Sequence, residues 1–448
     1  MLKFICLLLL PLFLFCEDLD VQLSTRTQMR PIYLSRLHTE PSQYDWRYFE
    51  DLRNVLEFDL DTNGFSTILE KQDGLEETLL FPDVRTAFDI SIWKKEKIPF
   101  VLAIQVSQNR FSLIAFNIEK GTSKKYPDIL LKGRVDEDRQ AIHRLADSLQ
   151  KDLFDVEGIS SLKLIYSQRA RNLASKTLDW SSEIWTCDAD GANTRQLTSE
   201  NSYCLSPFFL PNASIGDPQF TYVSYKLGQS KIFRASFSNP KGEIMVQLRG
   251  SQALPSLTRK GTQIAFITDV AGRPDLFVQN LDPGGRMLGK ARQLYSASRA
   301  TQASPTYSPD GKQIAFVSDK DGPPRIYLID VTSAKDTKKL HPRLLTKKNR
   351  ENTSPSWSPD GKKLAFSAKV DGVRQIWIYD FETDQEFPLT YSPENKENPN
   401  WAPDSLHLVY NTESEESCEL YLLNLNNPEP IQISKGPGQK RFASWEPR

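Results

Sequence analysis

Residues 354 to 372 read SPSWSPDGKKLAFSAKVDG, and the chain contains this sequence twice in nearly the same form. Residues 304 to 322 read SPTYSPDGKQIAFVSDKDG. In both copies SPDG has the composition of a tight turn, since Pro fixes φ, Asp bonds its own backbone and Gly accepts a positive φ. After residue 357, the run KKLAFSA follows SPDG and the run RQIWIYD follows a second turn, KVDGV. Both runs have the length and residue types of β-strands. One copy therefore predicts about four short strands joined by tight turns.

The large residue before the first turn recurs along the chain at steps of 44 to 50 residues. It is Phe209, Leu257, Tyr307, Trp357, Trp401 and Trp445 in turn. Four antiparallel strands repeated at this spacing are typical of propeller blades. Residues 162 to 198 read as strands two to four of a blade, and RFASWEPR (441–448) reads as a first strand alone. We therefore predict a six-bladed β-propeller over residues 160–448, closed by the C-terminal strand, which removes exposed sheet edges.

Residues 17–159 do not repeat and predict a small α/β domain. DWRYFEDLRNVLEF, from Asp45, places Trp46, Phe49, Leu52 and Leu56 at helical spacing. FVLAIQV and RFSLIAFNI read as two paired strands. Residues 136–154 form a second predicted helix, with an apolar stripe of Ile142, Leu145, Leu149 and Leu153. This helix runs into the first blade without a long linker, so the angle between the domains is expected to be fixed.

The first 16 residues, MLKFICLLLLPLFLFC, predict a secretory signal peptide that is too short to span a membrane. Lipidation of Cys16 is disfavoured, because the bulky Phe15 precedes it. The whole chain of 448 residues has a formal net charge of −1, so nothing indicates a nucleic-acid partner or an anionic membrane surface. We expect an exported monomer without direct membrane insertion.

The sequence offers no motif for a cofactor or a metal. Cys187 and Cys204 are placed where a disulfide bridge or two buried free thiols would both fit, and no Cys/His spacing indicates zinc. The repeated Asp-Gly pairs lack the alternating oxygen ligands of a calcium loop, and tight turns account for them.

The sequence also shows no catalytic motif. The four histidines, His38, His143, His341 and His407, lie in different regions, and no GxSxG nucleophile motif occurs. We interpret His143 as a residue of a polar helix face or of the interface between the domains. The aromatic residues at repeat spacing would line a sugar-binding channel or pack between neighbouring sheets, and packing is favoured.

The connections between blades emerge on one face of such a disc. They read RGSQAL (249–254), SASRATQAS (296–304), TKKNRENTS (346–354) and YSPENKENP (391–399). This polar composition suits protein recognition by many hydrogen bonds. The predicted contact residues are Ser251, Gln252, Arg299, Thr301, Arg350, Asn352 and Asn398. Lys241 and Asp310 belong to turns that we place on the opposite face.

Several features together resemble the TolB family of periplasmic β-propeller proteins. They are the apolar leader, the small α/β domain, the segment AIHRLADSLQKDLFDVEGISSLKLIYS that joins helix to blade, and the repeats with SPDGKxIAF turns. RPIYLS, at 30 to 35, is similar to the first core strand of the family. The resemblance covers essentially the whole chain after the leader.

The resemblance implies a non-enzymatic scaffold of the Tol–Pal system in the periplasm, which maintains the outer membrane and aids its constriction at cell division. It implies that the face ringed by loops docks the peptidoglycan-associated lipoprotein Pal. It also implies that the N-terminal segment of the mature chain engages the inner-membrane protein TolA. Two alternatives remain open at this point: a periplasmic propeller enzyme, such as a lactonase or lyase, and a carbohydrate-binding propeller.

Overall fold

The computed structural model describes residues 29–39, 42–79, 88–172, 179–211, 216–331 and 341–448. Two parts follow one another along the chain: a small α/β domain and a six-bladed β-propeller. The predicted signal peptide, Cys16 and the segment that would follow cleavage lie outside the described residues. None of the described helices is long and apolar enough to cross a membrane.

The N-terminal domain is built on one mixed sheet with the strand order β2-β1-β3-β4-β5, and β6 also pairs with β4. Its strands are β1 (Arg30–Thr39), β2 (Ser66–Ile68), β3 (Phe100–Ser107), β4 (Arg110–Asn117), β5 (Thr122–Lys125) and β6 (Ile129–Leu130). Its helices are α1 (Trp46–Thr62), α2 (Asp73–Glu76), α3 (Ile90–Lys95) and α4 (Val135–Phe154), and a short 3-10 turn spans Glu77–Leu79. Strand β1 runs parallel to both of its neighbours, whereas β3 and β4 form an antiparallel hairpin.

Helices α1 and α4 cover one face of this sheet with the apolar residues that the sequence pattern predicted. Phe49, Leu52 and Leu56 of α1 are buried against the sheet together with Ile142 and Leu149 of α4. Trp46 departs from the prediction. It is the first residue of α1, and its side chain is 51% exposed because the helix begins beyond the edge of the core.

Helix α4 forms hydrogen bonds with the segment that leads into the propeller. The Asp147 carboxylate accepts hydrogen bonds from the backbone N–H groups of Ser160 (2.8 Å) and Ser161 (3.1 Å). Gly158 makes this approach close, since a Cβ there would lie 2.6 Å from the Asp147 Cα. The connection between the domains is therefore held by a carboxylate that belongs to the helix itself.

The propeller consists of six four-stranded antiparallel sheets. Blades two to six contain consecutive strands, and blade one has the order β30-β7-β8-β9. The first half of the ring contains β7 (Lys163–Arg171), β8 (Trp180–Asp188), β9 (Arg195–Gln196), β10 (Cys204–Phe209), β11 (Gln219–Ser224), β12 (Lys231–Ser236), β13 (Glu243–Ile244), β14 (Gln252–Leu257), β15 (Gln263–Thr268), β16 (Asp275–Leu281) and β17 (Met287–Tyr295). The second half contains β18 (Gln302–Tyr307), β19 (Gln313–Ser318), β20 (Arg325–Asp330), β21 (Arg343–Leu344), β22 (Asn352–Trp357), β23 (Lys363–Val370), β24 (Val373–Asp380), β25 (Gln385–Pro388), β26 (Asn395–Trp401), β27 (His407–Glu413), β28 (Leu420–Asn424), β29 (Ile431–Gln432) and β30 (Gln439–Trp445).

Strand β30 closes the ring, as the split blade predicted. It pairs antiparallel with β7, and Trp445 lies opposite Leu164. The backbone N–H of Glu446 then bonds the carbonyl oxygen of Lys163 at 2.9 Å, while the Glu446 carboxylate accepts from the Lys163 N–H at 3.0 Å. The first and last parts of the propeller are thus joined by a full strand pairing.

The recurring large residue ends the first strand of every blade. Six apolar cores lie between neighbouring blades, and these side chains belong to them. Trp401 and Trp445 are each only 5% exposed. The Trp401 indole N–H reaches the Ser356 carbonyl of the preceding blade at 3.0 Å, so this aromatic position packs between sheets.

Because the strands of a blade alternate in direction, their connections fall on two faces of the disc. The connections between blades and the turns between second and third strands share one face, which we call the crossover face. The remaining turns share the other, which we call the domain face because the N-terminal domain docks there. Its contacts include a hydrogen bond of 2.8 Å from the Asn426 side-chain amide, after the third strand of blade six, to the Gly64 carbonyl.

Candidate functional site

The loops of the crossover face are held in place by polar side chains beside them. Asp269 Oδ1 accepts a hydrogen bond from the Ser251 N–H at 2.7 Å, and Asp319 Oδ1 accepts one from the Thr301 N–H at 2.6 Å. Both acidic residues follow the second strand of their blade, so each fixes the loop that enters the same blade. The face is therefore preorganised, which lowers the entropy lost when a partner binds.

The predicted contact residues divide into two groups. Arg299, Thr301 and Arg350 are exposed, whereas the Gln252 and Asn352 side chains are fully buried. Gln252 Nε2 donates to the Leu248 carbonyl and Asn352 Nδ2 donates to the Asn349 carbonyl, both at 2.8 Å. These two amides support the loops from beneath and do not offer their side chains to a partner.

Ser251 and Asn398 are intermediate in exposure, and Asn398 lies at the central channel. Its Oδ1 accepts from the Ser354 hydroxyl of the neighbouring blade at 3.1 Å, and its Nδ2 donates to Asn411 Oδ1 at 3.0 Å. Asn398 therefore joins blades five and six where the channel wall begins.

A bulge in the first strand of every blade shapes the channel. Each bulge shifts the register with the second strand, for example between Thr353 and Ser356. The residues with positive φ at these bulges, all between 43° and 56°, are Ser206, Leu254, Ser304, Ser354, Asn398 and Phe442. A bulge locally increases the twist of its strand, so six of them bend the inner strands around the axis.

The channel has two halves that share Phe208, Asn400 and Ser444 in their walls, and we call the half lined by Arg374 and Glu397 the polar half. The half toward the crossover face has a volume of about 420 Å³ and contains the six bulges. The half toward the domain face has a volume of about 340 Å³ and is lined by the aromatic strand ends and several prolines.

Ion pairs line the polar half on one side. Arg374 Nε lies 3.0 Å from Glu397 Oε1, and its guanidinium also lies 3.7 Å from Glu351. Burial raises the pKa of Glu397, and the neighbouring Arg374 opposes that shift. Arg441 pairs in the same way with Glu413. Because these charges compensate one another, this sector does not present a strong field of one sign.

Sequence reasoning missed the exposed apolar residues of the crossover face. Tyr391 is 78% exposed in the loop that enters blade six. Tyr225 (43%), Leu227 (57%) and Val270 (40%) lie in turns after second strands, on the same face. The sequence did contain a signal for Tyr391, since it is the one aromatic residue of the otherwise polar loop YSPENKENP. Tyrosine is among the residues that are enriched at protein–protein interfaces.

A second polar cluster lies at the domain face, far from these loops. The side chains of His143, Asp188 and Asp190 approach within 4.8 Å of one another. The guanidinium of Arg139 contacts both carboxylates, with Nε 3.3 Å from Asp188 Oδ2. We assign this cluster as an ion-pair network, because Arg139 already provides the cation between the two carboxylates.

The cysteines and histidines of the described residues do not assemble a nucleophile. Cys187, Cys204 and Cys418 are buried free thiols, so the bridge between the first two is not formed. Burial raises the pKa of both Cys187 and Cys204, which keeps these thiols protonated. His143 Nδ1 lies 2.7 Å from Asp59, and its Nε2 has no hydrogen-bond partner among the described residues.

The architecture defines the class: a six-bladed β-propeller that follows a small α/β domain and presents rigid loops on the face away from that domain. Residues 153–448 match the family model PD40, described as the TolB beta propeller domain. Since this match covers well over half of the chain, the protein belongs to the TolB β-propeller family.

Relatives and a solved structure agree with this assignment. The chain is 42% identical over 302 residues to the protein TolB homolog of Protochlamydia amoebophila, covering 66% of this chain and 64% of the relative. It is 36% identical over 295 residues to the homolog of Chlamydia muridarum, covering 65% and 62%. The alignments thus span less than two thirds of the relatives' length. The crystal structure of TolB from Acinetobacter baumannii shares the fold, with a TM-score of 0.72 at 22% identity over 94% of this chain and 98% of that chain.

Proposed function

We propose that this protein is a non-enzymatic periplasmic scaffold of the Tol–Pal system and that its crossover face binds a Pal-like lipoprotein. In this role it would support outer-membrane integrity and constriction during cell division. The observation that carries the proposal is the combination of preorganised loops, exposed arginines and exposed apolar side chains on the face opposite the N-terminal domain.

The roles of the individual residues follow from their placement. Arg299 and Arg350 are exposed on the loops and can pair with carboxylates of a partner, while Tyr391 offers an aromatic anchor. Thr301 and Ser251 offer polar groups on the same loops, and Asn398 offers one at the channel. Gln252 and Asn352 keep the loops in their binding shape. We further propose export by cleavage of residues 1–16, and contact of the segment preceding Arg30 with a TolA-like protein.

Calorimetric titration with the soluble domain of the lipoprotein tests the proposal. Changing Arg299 or Arg350 to Glu should weaken binding by about 2 kcal/mol or more where the arginine is buried by the partner, because a reversed charge is left unpaired. Lys241→Glu is the matched control, since Lys241 lies in a turn of the domain face.

The outcomes separate the two faces. The proposal is supported if only the variants of the crossover face lose binding, while Lys241→Glu and Asp310→Lys bind with unchanged affinity. Equal binding by both arginine variants and by Tyr391→Ala, or a loss confined to Lys241→Glu or Asp310→Lys, would place the partner elsewhere. Circular dichroism of each variant checks that the propeller remains folded.

A further inference from the structure

The N-terminal domain is joined to the domain face of the propeller at two buried histidines. His143 projects from α4 toward blade one, and His407 projects from blade six toward the end of α1. Both rings are at most 1% exposed. They lie on the face opposite the loops, so their role is separate from the proposed binding of a partner there.

His143 is placed between acidic groups of both domains. Its Nδ1 lies 2.7 Å from Asp59 Oδ2 of α1. Its Nε2 faces the propeller, 3.9 Å from Asp188 Oδ2 and 4.0 Å from Asp190 Oδ2. If Nδ1 carries the only proton, the Nε2 lone pair points at two carboxylates. That arrangement is repulsive, and a second proton on the ring makes it attractive.

The charges around His143 balance when the ring is protonated. Lys163 of β7 reaches Asp188 Oδ1 at 2.8 Å, and Arg139 of α4 contacts both propeller carboxylates. The nearest charges are thus three carboxylates (Asp59, Asp188 and Asp190) and two cations (Arg139 and Lys163), with Asp147 acting on Asp59 from further away. A histidinium supplies the third positive charge, and a neutral ring leaves the buried cluster one negative charge in excess.

His407 is held between two acceptors. Its Nδ1 lies 2.6 Å from Asp404 Oδ2, and its Nε2 lies 2.8 Å from the carbonyl oxygen of Thr62, the last residue of α1. Asn424 Nδ2 lies 3.2 Å from both that Nε2 and the Thr62 oxygen. Only a protonated ring can donate from both nitrogens, and a cation is favourable at the C-terminal end of a helix.

We propose that this interface is a proton-dependent latch, in which charged His143 and His407 hold the N-terminal domain on the propeller and loss of their protons releases it. The two histidines come from opposite sides of the interface, so each domain contributes one protonated group to the contact.

The direction of the pH dependence follows from the surroundings. Burial lowers the pKa of each histidine, but Asp59 and Asp190 for His143, and Asp404 for His407, outweigh burial and raise it above the ordinary value of 6.5. Of the groups around these rings, Asp188, Asp190 and the Thr62 carbonyl oxygen come from the other side of the interface and are lost on release. Because these groups favour the protonated rings, the docked state binds the protons more tightly than the released state. Their contribution to docking is fully present below the pKa of the released state and is lost as the pH rises through the raised pKa of the docked state.

The two carboxyl partners do not reverse this trend. Burial raises the pKa of Asp59 from 3.8 to about 6, so docking also favours its proton between those values. Burial alone would also raise the pKa of Asp404, but His407 and two backbone N–H groups lower it below the ordinary value of 3.8. Titration of Asp404 therefore affects docking only at pH values below about 3.8. We therefore expect the N-terminal domain to be released from the propeller at alkaline pH.

Hydrogen–deuterium exchange of the full-length protein between about pH 6 and about pH 9, corrected for the intrinsic pH dependence of exchange, tests the latch. We expect a progressive loss of protection in residues 59–64, 139–147 and 186–193, with no corresponding loss in the control segment 352–368 of blade five. In the His143→Gln, His407→Gln double variant, protection of the interface should not vary with pH, since glutamine keeps a hydrogen bond but cannot take up a proton.

Histidine-selective NMR of the unmodified chain provides a measurement that does not depend on the variant folding. Only four histidines occur, and the exposed His341 serves as the internal reference. Doubly protonated rings for His143 and His407 at about pH 6 support the latch. Neutral rings at that pH, equal pH dependence in wild type and double variant, or loss of protection on adding a chelator at about pH 6 would overturn it, the last in favour of a metal ion.

Discussion

Asp319 shows how one side chain shapes the crossover face. Its Oδ1 accepts from the Thr301 N–H at 2.6 Å, and its own backbone carbonyl accepts from Gly322 across the following turn. Asp269 repeats the first of these bonds to Ser251 in the preceding blade. A carboxylate that bonds a loop N–H fixes the loop without occupying its outer surface, and so leaves that surface for a partner.

We expect Asp319→Ala to lower the free energy of unfolding by about 1–2 kcal/mol, because a charge-assisted hydrogen bond is lost from a half-buried site. Asp319→Asn keeps an oxygen acceptor in the same place and should recover more than half of this loss. Urea denaturation of both variants measures the difference. Equal stabilities for the two variants would mean that the acceptor does not hold the loop.

Among the strands, the bulge is the feature that recurs in every blade. Every inner strand carries one residue at positive φ, and none of the six is glycine. A left-handed backbone costs most for β-branched residues, which tolerate that region least. The bulges therefore restrict which residues the channel wall can contain.

Ser354 allows a direct test, with φ of 50° and a hydrogen bond from its hydroxyl to Asn398. Ser354→Gly and Ser354→Val both remove that bond, so the difference between them isolates the backbone. We expect the valine variant to be less stable than the glycine variant by about 1–2 kcal/mol. Thermal unfolding followed by circular dichroism gives the comparison, and a valine variant as stable as the glycine variant would contradict the strained bulge.

These elements also show what could be predicted from the sequence. The turn residues and the large residue before them recur with the blade, so local pattern alone predicted six blades and the closing strand. Nothing local marked Gln252 and Asn352 as buried, because their burial follows from the bulge two residues later. His407 could not be placed at the domain interface, since its partner Thr62 is 345 residues away in sequence. A contact between residues that are far apart in the sequence leaves no periodic pattern in a single sequence.

For the complete propeller, we expect closure by β30 to control stability. Removing residues 439–448 would expose the edges of β7 and of the core between blades six and one, which contains Trp445. We expect this truncation to melt at a much lower temperature and to aggregate through its open edges. Removing only residues 447 and 448 keeps the bonds between Glu446 and Lys163 and is the control. Melting temperatures within about 2 °C of each other for the longer truncation and the full chain would show that β30 is dispensable.

The closing strand also has a consequence for the order of folding. The hydrogen bond between Lys163 and Glu446 joins residues 283 positions apart, the longest separation that blade one must bridge. The entropy of closing such a loop grows only slowly with length, but the search for the pairing requires that the intervening blades be largely formed. We therefore expect blade one to be completed after the other five blades, with the pairing of β30 and β7 among the last steps of folding.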